Sequence, residues 1–156
     1  KIWNLLKRTY YMFKYKDKII ESIEDFPAET FGFIYKTTHK SGKSYIGKKV
    51  LYFNRKVKLG KRELLALPIT RGRRATTKQT VKESDWKTYY GSHVEIKNII
   101  VEEGVDVFTR EILHICPSKK HLTYYENKYL FSLGVIESDD YYNDNIEGRY
   151  FSKDLL

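Results

Sequence analysis

Two short runs, FGFIYKTT at 31–38 and KSYIGKKV at 43–50, leave little choice about the heart of this fold. Both are dense in β-branched and aromatic residues, and the short turn that joins them, HKSGK, includes Gly42. Such a pair reads as an antiparallel β-hairpin. Side chains alternate along a strand, so Phe33 and Tyr35 share one face and Ile34 and Lys36 the other, while Tyr45 faces away from Ile46. VFTREILHI (107–115), which stops short of Pro117, supplies a third strand. KKHLTYYENKYLFSLG (119–134) is the clearest helix: Leu122, Tyr125, Tyr129 and either Leu130 or Leu133 form one stripe, with Gly134 at the C-cap. A second helix fits residues 93–103, with Gly104 just past its end. Residues 3–25 read as a helix or two, with Trp3, Leu6, Tyr10, Phe13 and Ile20 as packing positions. The expected fold is α+β: a central three-stranded antiparallel sheet flanked by helices, preceded by an N-terminal helical segment (residues 1–30) and followed by a tail (146–156).

Between hairpin and third strand lies a segment unlike a core element. Of the +9 formal charge, residues 36–87 carry sixteen Lys/Arg against three Asp/Glu, while residues 88–156 carry seven against twelve. The middle third thus holds more than the whole positive excess. Such a block attracts a polyanion at long range and binds it by displacing condensed counterions. Residues 53–90 are read as a basic insertion within the domain 31–145: a short helix at 61–67, then Pro68, then TRGRRATTK, ordered when nucleic acid is bound. Lys48, Lys56, Arg62, Arg71, Arg73, Arg74 and Lys78 are its candidate phosphate contacts, and Trp86, Tyr89 and Tyr90 are aromatics able to stack on bases.

Composition excludes other classes. No run approaches the roughly 18 apolar residues that span a bilayer, and the opening KIWNLLKRTYYMFKYKDK is too charged for a signal peptide. Cys116, the single cysteine, rules out an internal disulfide and suggests a reducing, cytoplasmic setting. His39, His93, His114 and His121 show no zinc spacing and read as turn, core or surface residues, and no GxxxxGK[ST] loop is present. What remains is a tyrosine pair and a carboxylate. Tyr35 and Tyr45 stand on adjacent strands, where both hydroxyls could reach one depression, with Lys43, Lys48 and Lys49 nearby in sequence. Glu126 lies inside the apolar helix, where a carboxylate is either solvated or placed to hold a cation; Glu111 and Glu95 are its rivals. One carboxylate with water suits Mg²⁺ or Mn²⁺.

Together these motifs resemble the GIY-YIG nuclease superfamily, in particular its small phage-borne endonucleases. Phe33-Ile34-Tyr35 after Gly32 and Tyr45-Ile46-Gly47 look like the paired signature, FTREILHICP like the third core strand, and HLTYYENKYLF like the helix bearing the metal-binding glutamate. The resemblance implies a divalent-metal-dependent DNA endonuclease leaving 3′-hydroxyl and 5′-phosphate ends, with Mg²⁺ (or Mn²⁺) on Glu126. It implies catalytic roles for Tyr35 and Tyr45, and support from Gly47 and from Asn143, or from Asn145 in a shifted register. The family's catalytic arginine, in a helix after the second motif, maps to Arg55, although Leu59 stands where His or Tyr is common; Lys49, Tyr52 and Arg62 compete for the cationic and proton-handling roles. DNA is the implied partner, with a homodimer or a targeting protein as further partners, no membrane, and the cytoplasm of a bacterial host as the setting of a phage-borne relative. The alternative reading is a non-catalytic nucleic-acid-binding module on the same fold.

Overall fold

The computed structural model describes residues 11–69 and 71–156. In chain order β1 (Phe13–Tyr15) and β2 (Lys18–Ile20) make a tight hairpin, followed by β3 (Gly32–His39) and β4 (Ser44–Val50). Strands β5 (Tyr52–Lys58) and β6 (Thr77–Glu83) pair only with each other; β7 (Phe108–Cys116) rejoins the main sheet, and β8 (Asn145–Ile146) and β9 (Tyr150–Phe151) close the chain in a small ribbon. Helix α1 (Lys61–Ala66) sits between β5 and β6, α2 (Val94–Glu103) precedes β7, and α3 (Lys119–Ser132) follows it. The chain divides into two compact units, Tyr52–Ser84 and the remainder. Among the described residues, no helix is long and apolar enough to cross a membrane.

The expected hairpin forms with Thr38 opposite Ser44 and Gly32 opposite Val50, and Gly42 turns the chain at φ 96°. The expected third strand pairs antiparallel to β3. The sheet, however, has five strands rather than three, in the order β2-β1-β7-β3-β4, and it is mixed because β1 runs parallel to β7. The extra strands correct the helical reading of the N-terminal segment over 13–20; the part of that reading before residue 11 lies outside the described residues. Phe13 and Ile20, spaced as helix packing positions, are instead opposite one another across the hairpin and fully buried. The turn between them rests on Lys16 at φ 53°, a left-handed conformation that a lysine gives no sequence cue for.

Each sheet face buries its own cluster. Phe33, Tyr35 and Ile112 pack on one side with Phe13, Phe26, Leu51 and Trp86. Ile34 and Ile46 pack on the other beneath α3, with Leu122, Leu130 and Val135. Burying each such side chain is worth about 1.5–3 kcal/mol, so the alternation fixes the register: a one-residue slip would exchange the two cores. Between Ile34 and Tyr35 the β3–β7 register shifts, so that Leu113 is left as an extra residue. Bulges of this kind bend a sheet and recur beside functional sites.

The insertion is also more regular than its sequence suggests. All seven residues of β5 pair with β6, from Tyr52 opposite Glu83 to Lys58 opposite Thr77. Arg55, expected on a helix, therefore lies in a strand. The short helix expected at 61–67 is present as α1.

Candidate active site

Strand β4 is the edge of the sheet, and the site is built along it. Its outer rim is covered by the segment before β8: the Ser44 N–H donates to the Asp140 carbonyl (2.9 Å) and the Tyr142 N–H to the Ser44 carbonyl (2.7 Å). Asn143 then extends this pairing with its side chain. Its Oδ1 accepts from the Ile46 N–H at 2.9 Å, and its Nδ2 donates to the Ile46 carbonyl at 2.8 Å. A primary amide carries a donor beside an acceptor and so satisfies a backbone N–H and carbonyl together. Asn145, the alternative register, instead bonds Asp144 and Gly148 within its own turn.

A groove of about 500 Å³ opens beside this clamp, walled by Tyr45, Lys48, Ser92, His93, Glu126 and Asn143 among others. Glu126 enters it because of helix geometry. Leu122, Glu126 and Leu130 are successive i, i+4 positions on one stripe of α3, and both leucines are buried against the sheet. The carboxylate is thereby held at the sheet edge, its side chain only 20% exposed, and it meets the Lys48 Nζ at 2.6 Å. Leu133, the other option for the stripe, is exposed. Of the rival carboxylates, Glu111 is exposed on β7 and Glu95 is exposed in the first turn of α2, its N–H capped by His93.

The two tyrosines are neighbours, with ring centroids 6.2 Å apart, but they meet solvent differently. Tyr45 faces the groove, and its hydroxyl is 3.0 Å from the Ser92 hydroxyl. Tyr35 is 1% exposed and lies under Tyr45 and Tyr89, sharing a hydrogen bond with the Tyr89 side chain. Gly47 makes this possible: a Cβ there would stand 2.5 Å from the Tyr35 hydroxyl and 2.9 Å from the Tyr45 ring. Burial, then the adjacent Tyr45 and Tyr89, then the Glu126 charge push the Tyr35 phenol well above its ordinary range. Burial raises Tyr45 as well, though the Ser92 hydrogen bond pulls the other way. Both phenols are therefore neutral donors at neutral pH.

The cations divide between faces. Lys48 is in the groove; Lys49, one residue on, points to the opposite face, where it pairs with Asp85 at 2.7 Å and lies 3.6 Å from the Tyr89 ring centroid. Arg55, Lys56, Arg62, Arg71, Arg73, Arg74 and Lys78 all belong to the Tyr52–Ser84 unit and are exposed, and Lys78 is ion-paired with Glu63. Trp86 and Tyr90 are not the base-stacking surfaces expected. At 1% and 7% exposure they are core residues and leave no face for a base; Tyr89 is partly buried against the first cluster. What holds this aromatic stretch down is Arg110. Its guanidinium donates to the Tyr89 carbonyl (2.8 Å), the Lys87 carbonyl (2.9 Å) and the Tyr11 carbonyl, and it lies over the Phe13 and Tyr90 rings. Burial lowers its pKa to about 10, which still leaves it charged at neutral pH.

Several groove residues escaped the sequence reading. His93, set aside as structural, caps α2 and also lines the groove, with its Nε2 3.8 Å from Asp144. Ser92 holds Tyr45, and Asn127 donates to Glu147 at 2.5 Å. The only sequence cue was the Gly-Ser-His run opening a helix.

The donor set fits a hydrated hard cation. Glu126, Asp144 and Glu147 line the groove with Lys48, so it carries more negative than positive charge. The Lys48 ammonium already marks the place at Glu126 where positive charge is stabilised. Asn127, the next residue, keeps a buried Oδ1 without a hydrogen-bond partner. Among the described residues no three His, Cys, Asp or Glu side chains gather into a metal cluster. A cation here would be held through one carboxylate and water, the manner Mg²⁺ favours.

Residues 13–146 match the family model described as "Putative endonuclease segE, GIY-YIG domain". No curated protein and no solved structure gives a match.

Proposed function

Because the chain belongs to the GIY-YIG endonuclease superfamily, we propose that it is a divalent-metal-dependent DNA endonuclease acting in the β4-edge groove. The observation that carries this reading is the convergence of Tyr45, Lys48 and Glu126, from two strand faces and a helix, on one groove. A pure phosphate-binding surface needs neither a half-buried carboxylate nor a phenol held by a serine.

Water attacks phosphorus in line, the bond to the 3′ oxygen breaks, and 3′-hydroxyl and 5′-phosphate ends remain. Tyr45, fixed by Ser92, donates to the phosphoryl group and orients the attacking water. Lys48, beside Glu126 in the groove, neutralises charge on the phosphoryl oxygens. Tyr35 stays protonated and acts as a positioning residue through its contacts with Tyr45 and Tyr89. Asn143 fixes the stretch of β4 that carries Tyr45 and Lys48. Glu126, with Asn127 beside it, would hold Mg²⁺ or, as a substitute, Mn²⁺, which would supply Lewis acidity at the departing 3′ oxygen. Arg55, Arg62, Arg71, Arg73, Arg74 and Lys78 contact the DNA backbone.

The test is Glu126→Gln, an isosteric change that removes the charge. Nicking of supercoiled plasmid in Mg²⁺ should fall by about two to three decades, with thermal unfolding and duplex binding in EDTA close to the parent. Near-normal nicking by the folded variant sinks the assignment. Binding by the parent without nicking in either metal favours the non-catalytic module.

A further inference from the structure

The Tyr52–Ser84 unit has ten Lys/Arg against Glu63 and Glu83. Its register sorts its side chains onto two unlike faces. One carries Phe53, Arg55 and Val57 opposite Lys82, Thr80 and Lys78. This face is engaged within the unit: Glu63 of α1 reaches Lys78, and the half-buried Phe53 and Thr80 are on it. The other face carries Tyr52, Asn54, Lys56 and Lys58 opposite Glu83, Val81, Gln79 and Thr77. All eight are exposed. The side chains of Asn54, Lys56, Lys58, Thr77 and Gln79 make no hydrogen bond or ion pair among the described residues.

That set is chemically specific. Asn and Gln each place a donor beside an acceptor, the pattern that matches the major-groove edge of adenine; Lys donates to guanine, and Thr serves either base. Phosphate contacts alone would be met by Lys and Arg and carry no sequence information. The shape agrees. Paired strands lie about 4.8 Å apart, and a two-stranded ribbon enters the roughly 12 Å major groove of B-DNA. Seven residues at about 3.3 Å each reach along roughly six base-pair steps of about 3.4 Å. The net charge of +8 on 33 residues is complementary to a duplex and to no acidic surface of this unit's own.

We propose that the exposed face formed by Asn54, Lys56, Lys58, Thr77 and Gln79 enters the major groove of duplex DNA and reads base edges, giving the enzyme a sequence preference. The preference rests on the DNA-cutting reading of the groove, but the ribbon can be tested apart from it.

The full chain carrying Glu126→Gln is mixed with random-sequence duplexes in EDTA, and the bound molecules are sequenced over several rounds. A motif of up to about six base pairs containing adenine should emerge. Adding Asn54→Ala with Gln79→Ala should cut enrichment at the adenine positions by about tenfold or more, with thermal unfolding unmoved, while Lys82→Ala on the opposite face keeps the motif. Absence of binding, binding without a motif, or a motif indifferent to the paired substitution overturns the proposal. Plasmid nicking by the parent chain in Mg²⁺ is scored separately. A motif without nicking keeps the ribbon and removes the nuclease; nicking without a motif does the reverse.

Discussion

Replacing Asn143 by alanine should destabilise the domain out of proportion to the atoms removed. The side chain satisfies both backbone groups of Ile46, a residue 1% exposed on the edge strand. Alanine deletes both bonds and offers the freed N–H and carbonyl no partner. Each buried group left so costs about 1–3 kcal/mol, and partial rehydration from the groove puts the sum near 2–4 kcal/mol. For a domain of this size that is a fall in Tm of about 4–16 °C. Nicking should fall with it even at temperatures where the variant is fully folded, because Tyr45 and Lys48 flank the released residue. Asn143→Asp separates the two bonds. An ionised carboxylate still accepts from the Ile46 N–H but faces the Ile46 carbonyl without a proton, whereas the neutral acid can donate to it. Folding therefore raises the pKa of the introduced carboxyl above the ordinary value of about 3.9. Its stabilising contribution is complete below that value and is lost as pH rises through the folded pKa, so Asn143→Asp should lie closest to the parent in mildly acid buffer and furthest from it at neutral pH. Chemical unfolding of parent, Ala and Asp variants at several pH values reads all of this. An alanine variant within about 0.5 kcal/mol of the parent, or an Asp variant whose deficit does not grow with pH, would refute the clamp.

Gly47→Ala should cost about 1–3 kcal/mol by overpacking, because the new methyl meets the buried Tyr35 hydroxyl at 2.5 Å and the Tyr45 ring at 2.9 Å; thermal unfolding and nicking should drop together, and an unchanged melting temperature would show that the rings yield easily. Tyr35→Phe should flatten the alkaline limb of the stability profile. The Tyr35 phenol is raised on folding, so its contribution is intact below the ordinary value of about 10 and is lost as pH climbs from there toward the folded value; parallel parent and variant curves above pH 10 would contradict this.

The hairpin and third strand were legible because their runs are dense in β-branched and aromatic residues, which the core buries on both faces of the sheet. Residues 119–132 were legible because Leu122, Tyr125, Tyr129 and Leu130 recur at helical spacing. The N-terminal hairpin was not: its strands are three residues long, Phe13 and Ile20 also satisfy a helical spacing, and its turn uses Lys16 rather than glycine. The β5–β6 ribbon was hidden for the opposite reason, since polar side chains occupy both faces and leave no period to read. In the candidate site, the sequence order of motifs named Tyr45 and Glu126, but the division of Lys48 and Lys49 between faces follows from register. The positions of Ser92, His93 and Asn127 come from tertiary packing, as do the burial of Trp86 among Phe13, Phe26 and Phe33 and that of Tyr90 against the Arg110 guanidinium.

The covering of β4 by residues 140–143 bears on how two copies of this chain could cooperate. Along Ser44–Ile46 the outward amides and carbonyls are already taken, so self-association by β-augmentation is closed at the rim beside the groove. Under the proposed DNA-cutting reading, a break across both strands would then need a surface other than this rim, or successive visits by one copy. The seal that orders the groove also keeps a second copy's strand from closing its mouth.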